Sequence, residues 1–200
     1  MLTVACVCWG NYQGRALEYV QKLQRGVARN LDQPHRFVCF TDQHLPVDTL
    51  PLAPGLTGWW NKLQLFAPWA FTHGERVLYL DLDNIVVGGL DELAEHKGVI
   101  WLDDWGWKTR VYGSGVMVWD AGEHEEVWTT FEAGRSDIGL HGDQDWLTQI
   151  GGWERLPPGL CRSYKYECRD SVPQGTRVVC THGTPKPHQI LTGWVPQAWV

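Results

Sequence analysis

Two hundred residues, 44% hydrophobic and 20% charged, suit one soluble domain with a sizeable core better than two independent ones. A net charge of −6 with no clustered Lys/Arg stripe argues against a nucleic-acid backbone as partner, although a local basic spot can still hold one small phosphate. No stretch approaches the ~18 consecutive apolar residues that spanning a bilayer requires, and "MLTVACVCWG" lacks the basic start and cleavage site of a signal peptide, so the expectation is a single unit over residues 1–200 in the cytoplasm.

The opening run "LTVACVCW" is rich in β-branched residues and predicts a first strand, which "GNYQG" breaks. "RALEYVQKLQRGVARN" then places Ala16, Leu17, Val20, Leu23 and Val27 on one helical face, completing a β-loop-α unit. "RFVCFTD" predicts a second buried strand, and the Pro/Gly-rich "LPVDTLPLAPGLTG" separates it from a helix through "WNKLQLFAPWAF" that Pro68 must end or kink. "RVLYLDLD" is the third strand. Further along, "GVIWLDD" and "SGVMVWD" predict strands, "EHEEVWTTFEA" and "DQDWLTQI" predict helices, and "RVVCTHG" a last strand. This alternation predicts a three-layer α/β/α domain around a mostly parallel sheet. Ligands of such domains bind beyond the carboxyl ends of the strands, where the strand order switches, and the polar ends "TD", "DLD", "LDD" and "THG" fall there.

Six cysteines are an even number, but Cys6, Cys8 and Cys39 lie in apolar strands, where the usual role is a small buried hydrophobe. Cys161 and Cys168 in "CRSYKYEC" can pair or bind metal, yet their spacing matches no common zinc pattern and a cytoplasmic setting disfavours a disulfide. Among the thirteen tryptophans, Trp59, Trp60, Trp105 and Trp107 stand beside Gly and polar residues, where flat apolar faces can stack on sugar rings or bases, or simply pack a loop. His35, His44, His73, His96, His124 and His141 fall in no recognisable ligand spacing and read as surface histidines.

The apolar run from Arg76 is interrupted by two acids, Asp81 and Asp83. Residues two apart in a strand point the same way, so the pair can converge on one hard cation such as Mn²⁺ or Mg²⁺; it can equally cap the turn that follows. His182 closes the last strand and is a reasonable third ligand, and Lys186 between two prolines presents an ammonium suited to a diphosphate or, more plainly, to solvent.

Taken together these segments resemble glycosyltransferase family eight, the glycogenin and bacterial galactosyltransferase group of GT-A fold. "WWNKLQLF" is similar to its lysine-containing helix, "VLYLDLDNIVVGGLDEL" to its DxD segment, "GSGVMVWD" to its Asn-Ser-Gly strand, "HGDQDWL" to its Asp-Gln helix and "HGTPKPH" to its histidine-to-lysine-proline signature. The resemblance covers about Gly58 to His188. It implies a Rossmann-like GT-A domain that moves a sugar from a nucleotide-sugar, a UDP-hexose, to an acceptor hydroxyl with retention. The acceptor is a glycan, a lipid-linked group or a protein. By the same resemblance Asp81, Asp83 and His182 hold Mn²⁺ or Mg²⁺, and Lys186 holds the diphosphate. Tyr12 and Asp42 lie near the nucleobase and ribose, and Ser114 belongs to the binding strand. Lys62, Asp103 or Asp104, Asp143 and Gln144 contact the donor sugar, the last two nearest the reacting carbon. The family's usual sugar-binding asparagine is replaced by Gly113, and the His182–Lys186 spacing is shorter than usual.

A rival resemblance comes from "DLDNIV", which is similar to the nucleophile loop of haloacid-dehalogenase-type phosphatases, where Asp81 would attack phosphorus. That loop commonly carries a threonine where Ile85 stands and usually belongs to the domain's first strand. A tryptophan-rich sugar-binding module without catalysis is a further alternative.

Overall fold

The computed structural model describes residues 1–105, 111–134 and 139–200, apart from the side chains of Asp103 and Asp104. Its main sheet contains β1 (Leu2–Cys8), β2 (His35–Thr41), β3 (Asp48–Leu50), β4 (Arg76–Leu80), β6 (Gly98–Trp101) and β7 (Tyr112–His124), in the order β3-β2-β1-β4-β7-β6. Strands β3, β2, β1 and β4 run parallel, β7 runs against β4, and β6 against β7. A smaller sheet joins β5 (Asn84–Val86), β9 (Val178–Cys180) and β8 (Cys161–Ser163).

The three layers follow from the two-residue period of buried strands. Along β1, Leu2, Val4, Cys6 and Cys8 face the helix α1 (Ala16–Asn30), whereas Ala5 and Val7 face the opposite side. Strand β4 repeats this with Leu78 and Leu80 against Val77 and Tyr79, and β7 with Val116 and Val118 against Met117 and Trp119. The first face is covered by α1, the smaller sheet and α5 (Val195–Ala198). The second is covered by α3 (Glu126–Ala133), α4 (Asp143–Ile150) and a 3₁₀ segment, Gly58–Phe66. The short α2 (Asp91–Glu95) follows β5.

Several predicted elements change shape for local reasons. The helix expected to run toward Phe71 is the 3₁₀ segment, and Ala67 after it is extended (φ −69°, ψ 142°), because a residue preceding proline avoids the helical region. On α1 the buried stripe is Ala16, Tyr19, Val20, Leu23, Gly26 and Val27, while Leu17 is 47% exposed at the edge of that face. The strand expected to reach Asp83 stops at Leu80, and β7 continues to His124 before α3 begins. All six cysteines are free, Cys161 and Cys168 included. Among the described residues no helix is long and apolar enough to cross a membrane.

The stripe on α1 gives a direct check. Leu23→Ala should lower unfolding free energy by about 2–5 kcal/mol through the cavity it leaves. Leu17→Ala should change it by no more than about 0.5 kcal/mol. Urea midpoints at unchanged slope measure both.

Candidate active site

The chain passes from β1 outward to β2 and β3, then returns to lay β4 on the other side of β1. That reversal places a switch point between β1 and β4, and the turn after β4 carries both aspartates. Asp81 N–H bonds the Gly115 carbonyl (2.9 Å) and Asn84 N–H bonds the Asp81 carbonyl (3.0 Å), closing the turn that feeds β5 into the smaller sheet. The buried Asn84 amide also donates to Gly115 O (2.6 Å), and Thr181 Oγ1 donates to the Asp83 carbonyl (2.7 Å). The carboxylates are therefore held together by a pinned turn and not by strand alternation.

Each carboxylate meets an ammonium. Lys62 Nζ lies 2.8 Å from Asp81 Oδ1, 3.0 Å from Ser114 Oγ and 3.3 Å from Asp143 Oδ2. Burial pulls the Lys62 pKa down, but the Asp143 and Asp81 carboxylates outweigh it and hold it above the ordinary lysine value. Lys186 Nζ pairs with Asp83. Burial, then the neighbouring Asp81 charge, push the Asp83 carboxyl above its usual range against the pull of Lys186. Tyr79 donates its hydroxyl to Asp81 Oδ1 (2.7 Å), and burial followed by Asp81 raises its pKa.

Two cavities meet at this turn. The larger, about 670 Å³, is lined by Trp9, Tyr12, Trp59 and Lys62 among others. The smaller, about 210 Å³, is lined by Ile100, Leu102, Trp105, Gln144, Cys180 and His182 among others, and Asp81, Asp83 and Lys186 line both. Burial and then the Asp83 and Asp81 charges raise the Tyr12 pKa. His182 is gripped between Trp105 (centroids 5.1 Å apart, planes 10° apart) and Tyr166 (5.8 Å, 26°), with Nε2 2.8 Å from Ser163 Oγ. Burial lowers its pKa, helped by Lys165 and Lys186.

The expected residues thus separate into groups. Tyr12, Lys62, Asp81, Asp83, Gln144, His182 and Lys186 all line one or both cavities. Ser114 is fully buried and anchors Lys62 from behind. Asp143 is buried at the N-terminal end of α4, where the helix dipole favours its charge, and its Oδ2 has an ion pair but no hydrogen bond among the described residues. Asp42 lines neither cavity: it is exposed and accepts the Gly10 N–H (2.8 Å), bracing the loop after β1 from outside. The side chains of Asp103 and Asp104, and Trp107, lie outside the described residues. Of the other tryptophans, Trp60 stacks on Phe131 (5.5 Å, 21°) in the second core, whereas Trp59 opens into the larger cavity. Sequence reasoning missed Trp9 and Tyr79. The latter was detectable, since it stands two residues before Asp81 in a strand run.

Asp83, which is buried, and Asp81, which is half-buried, share one turn and are the hard oxygen donors a divalent cation such as Mn²⁺ needs, and the raised Asp83 pKa marks a place where added positive charge is favourable. The expected trio is not assembled, however. Among the described residues no three His, Cys, Asp or Glu side chains group closely enough to hold a metal, because Lys186 stands on Asp83 and the His182 ring is committed to Ser163.

The architecture is the GT-A fold of glycosyltransferases, a mostly parallel six-strand sheet between helices. GlyE of Streptococcus pneumoniae TIGR4 is similar with a TM-score of 0.73 at 14% identity, covering 100% of this chain and 60% of GlyE. LgtC gives 0.68 at 15% identity over 98% of this chain and 93% of its own, and was also solved with donor and acceptor sugar analogues. The bifunctional glycosyltransferase WbbM gives 0.64 at 10% identity over 99% of this chain and 51% of its own. The chain spans less than two thirds of GlyE. No protein-family model matches the sequence, and no curated protein matches it either. The fold does not favour the phosphatase alternative.

Gly113 has a packing cause. A Cβ there would come within 2.6 Å of Ile100 Cγ1 and 2.9 Å of Leu102 Cδ2, so an asparagine fits only if these core side chains shift. Gly113→Asn should therefore destabilise the protein by about 1–3 kcal/mol, read as a lower urea midpoint.

Proposed function

We propose that this chain transfers a hexose from a UDP-sugar to an acceptor hydroxyl, with retention. The observation that carries the reading is the meeting of Asp81, Asp83, Lys62, Lys186 and Asp143 at the switch point of a GT-A fold, beside a cavity that Tyr12 lines. In this reading the nucleotide lies in the larger cavity against Tyr12, and the sugar reaches toward Gln144 and Trp105 in the smaller one. The similarity to LgtC, crystallised with donor and acceptor sugar analogues, supports a nucleotide-sugar donor.

The difficult step is heterolysis. The bond from the anomeric carbon to the diphosphate breaks with both electrons passing to the phosphate oxygen, while the acceptor oxygen bonds that carbon and its proton follows to the departing diphosphate. Asp81 and Asp83 would hold a Mn²⁺ or Mg²⁺ ion that supplies positive charge against the diphosphate when bound, and His182 would join as third ligand only by giving up its bond to Ser163. Lys186 adds an ammonium at the same edge. Lys62 pairs with both Asp143 and Asp81, and Asp143 supports the carbon that becomes cationic, with Gln144 orienting the ring. Asp42 acts indirectly in this scheme, by fixing the loop that bears Tyr12.

Two measurements test the reading. Isothermal titration should show UDP binding with Mn²⁺ that nearly vanishes in EDTA, and His182→Ala should weaken Mn²⁺ uptake. Equal UDP affinity with and without metal would remove the metal from the scheme. With the true donor, Asp143→Asn should lower turnover by roughly a hundredfold while leaving UDP affinity within a few-fold of wild type. Lys186→Ala should weaken UDP binding instead, since a group on the leaving diphosphate is felt in the ground state.

A further inference from the structure

The larger cavity contains a large apolar side chain that none of these steps uses. Trp59 is 56% exposed, yet it lines the cavity together with Lys62 and Asp81. It stands three residues before Lys62 on the 3₁₀ segment, and side chains at i and i+3 eclipse in that geometry, so indole and ammonium arm leave the backbone on the same side. Its other neighbour is Gly142, the residue immediately before Asp143. A Cβ on Gly142 would meet the indole at 2.9 Å from Nε1 and 3.2 Å from Cδ1. The ring is thus seated against bare backbone at the start of α4, beside the residues that hold Asp81 and Asp143, and still keeps more than half its surface open.

We propose that Trp59 is the platform for the acceptor, and that the acceptor is a pyranoside stacking the C–H face of its ring on the indole. The inference rests on the sugar-transfer reading and deepens it by naming the acceptor class. A pyranose has an apolar face and a rim of hydroxyls. The cavity has the same division, an open aromatic face with Asn11, Gln13, Lys62, Asp81 and Asp83 around it. Trp59 also comes from a different segment than Tyr12, so stacking the acceptor there leaves the loop after β1 to the nucleotide. A ring lying on Trp59 presents its edge hydroxyl toward Lys62 and the carboxylates it bridges, where the transferred anomeric carbon would lie.

The test separates the platform from the transferase reading. Methyl glycosides of glucose and galactose, and their disaccharides, are used as probes. Saturation-transfer NMR in the presence of UDP and Mn²⁺ reports their binding directly, and UDP-hexose turnover with and without them reports transfer against hydrolysis. Trp59→Leu should strongly reduce the saturation-transfer NMR signal and raise the acceptor KM by roughly tenfold or more, with donor hydrolysis and UDP affinity within about twofold of wild type. Trp59→Tyr should recover most of the acceptor affinity, because the flat face is what binds. Failure of every glycoside to bind wild-type protein, or an unchanged acceptor KM in Trp59→Leu, overturns the platform. A loss of UDP affinity as large as the loss of acceptor use would assign the indole to the donor and overturn it equally. Glycosides that bind through Trp59 without any UDP-hexose turnover would uphold the platform while removing the transferase reading.

Discussion

Everything at the centre of this protein depends on bringing Asp81, Asp83 and Asp143 together in one small, largely buried volume. Removing one partner from a buried ion pair costs about 3–5 kcal/mol, so three clustered carboxylates are tolerable only with cations close by. Lys62 bridges two of them and Lys186 pairs with the third. The supports for Lys62 come from distant parts of the chain: Ser114 from β7, Asp81 from the turn after β4, Asp143 from the start of α4. One ammonium therefore ties three elements together, and the 3₁₀ segment that carries it must be held rigidly to do so. The buried amides of Asn61 and Gln64 hold it, bonding the Gly58 and Asn61 carbonyls.

The second constraint is topological. The chain leaves the main sheet at Leu80 and enters the smaller sheet at Asn84, so the aspartate turn is a hinge point between two hydrogen-bonded systems. Gly115 accepts from both Asp81 N–H and the Asn84 amide, which fixes the turn against β7. Strand β9 pairs with β5 and delivers Thr181 and His182 to the same edge. A charged site assembled from the ends of two sheets has backbone partners on both sides, which is why Asp83 can be buried and Asp81 half-buried without regular structure of their own.

How much of this could be read beforehand varied with the length of the signal. Strands β1, β2, β4 and β7 carry long apolar runs and were legible, as was α4, whose bounds match "DQDWLTQI". Strands β3, β5 and β8 are three residues each, too short for any period to show, and their pairing is decided by partners far along the chain. Leu17 looked like a core residue because it is apolar, but the stripe is centred on Tyr19 and Leu23, and only packing decides which edge stays dry. Asp81 and Asp83 were legible as a converging pair, though the cause is a turn. The neutralising roles of Lys62 and Lys186 were not legible, since no local pattern says which carboxylate a lysine will reach. The contact that Asp42 makes was not legible for a similar reason: its partner, Gly10, lies thirty-two residues away in sequence.

The wall formed by Asp81, Asp83 and Lys186 belongs to both cavities. An occupant on one side that draws Lys186 away, or adds charge to either aspartate, alters the field that an occupant on the other side meets. The two compartments are then thermodynamically linked, and linkage is reciprocal: whatever factor the first ligand applies to the affinity of the second, the second applies to the first. Affinities measured one compartment at a time will not sum to the affinity of the filled site, because groups sharing a charged network do not contribute independently.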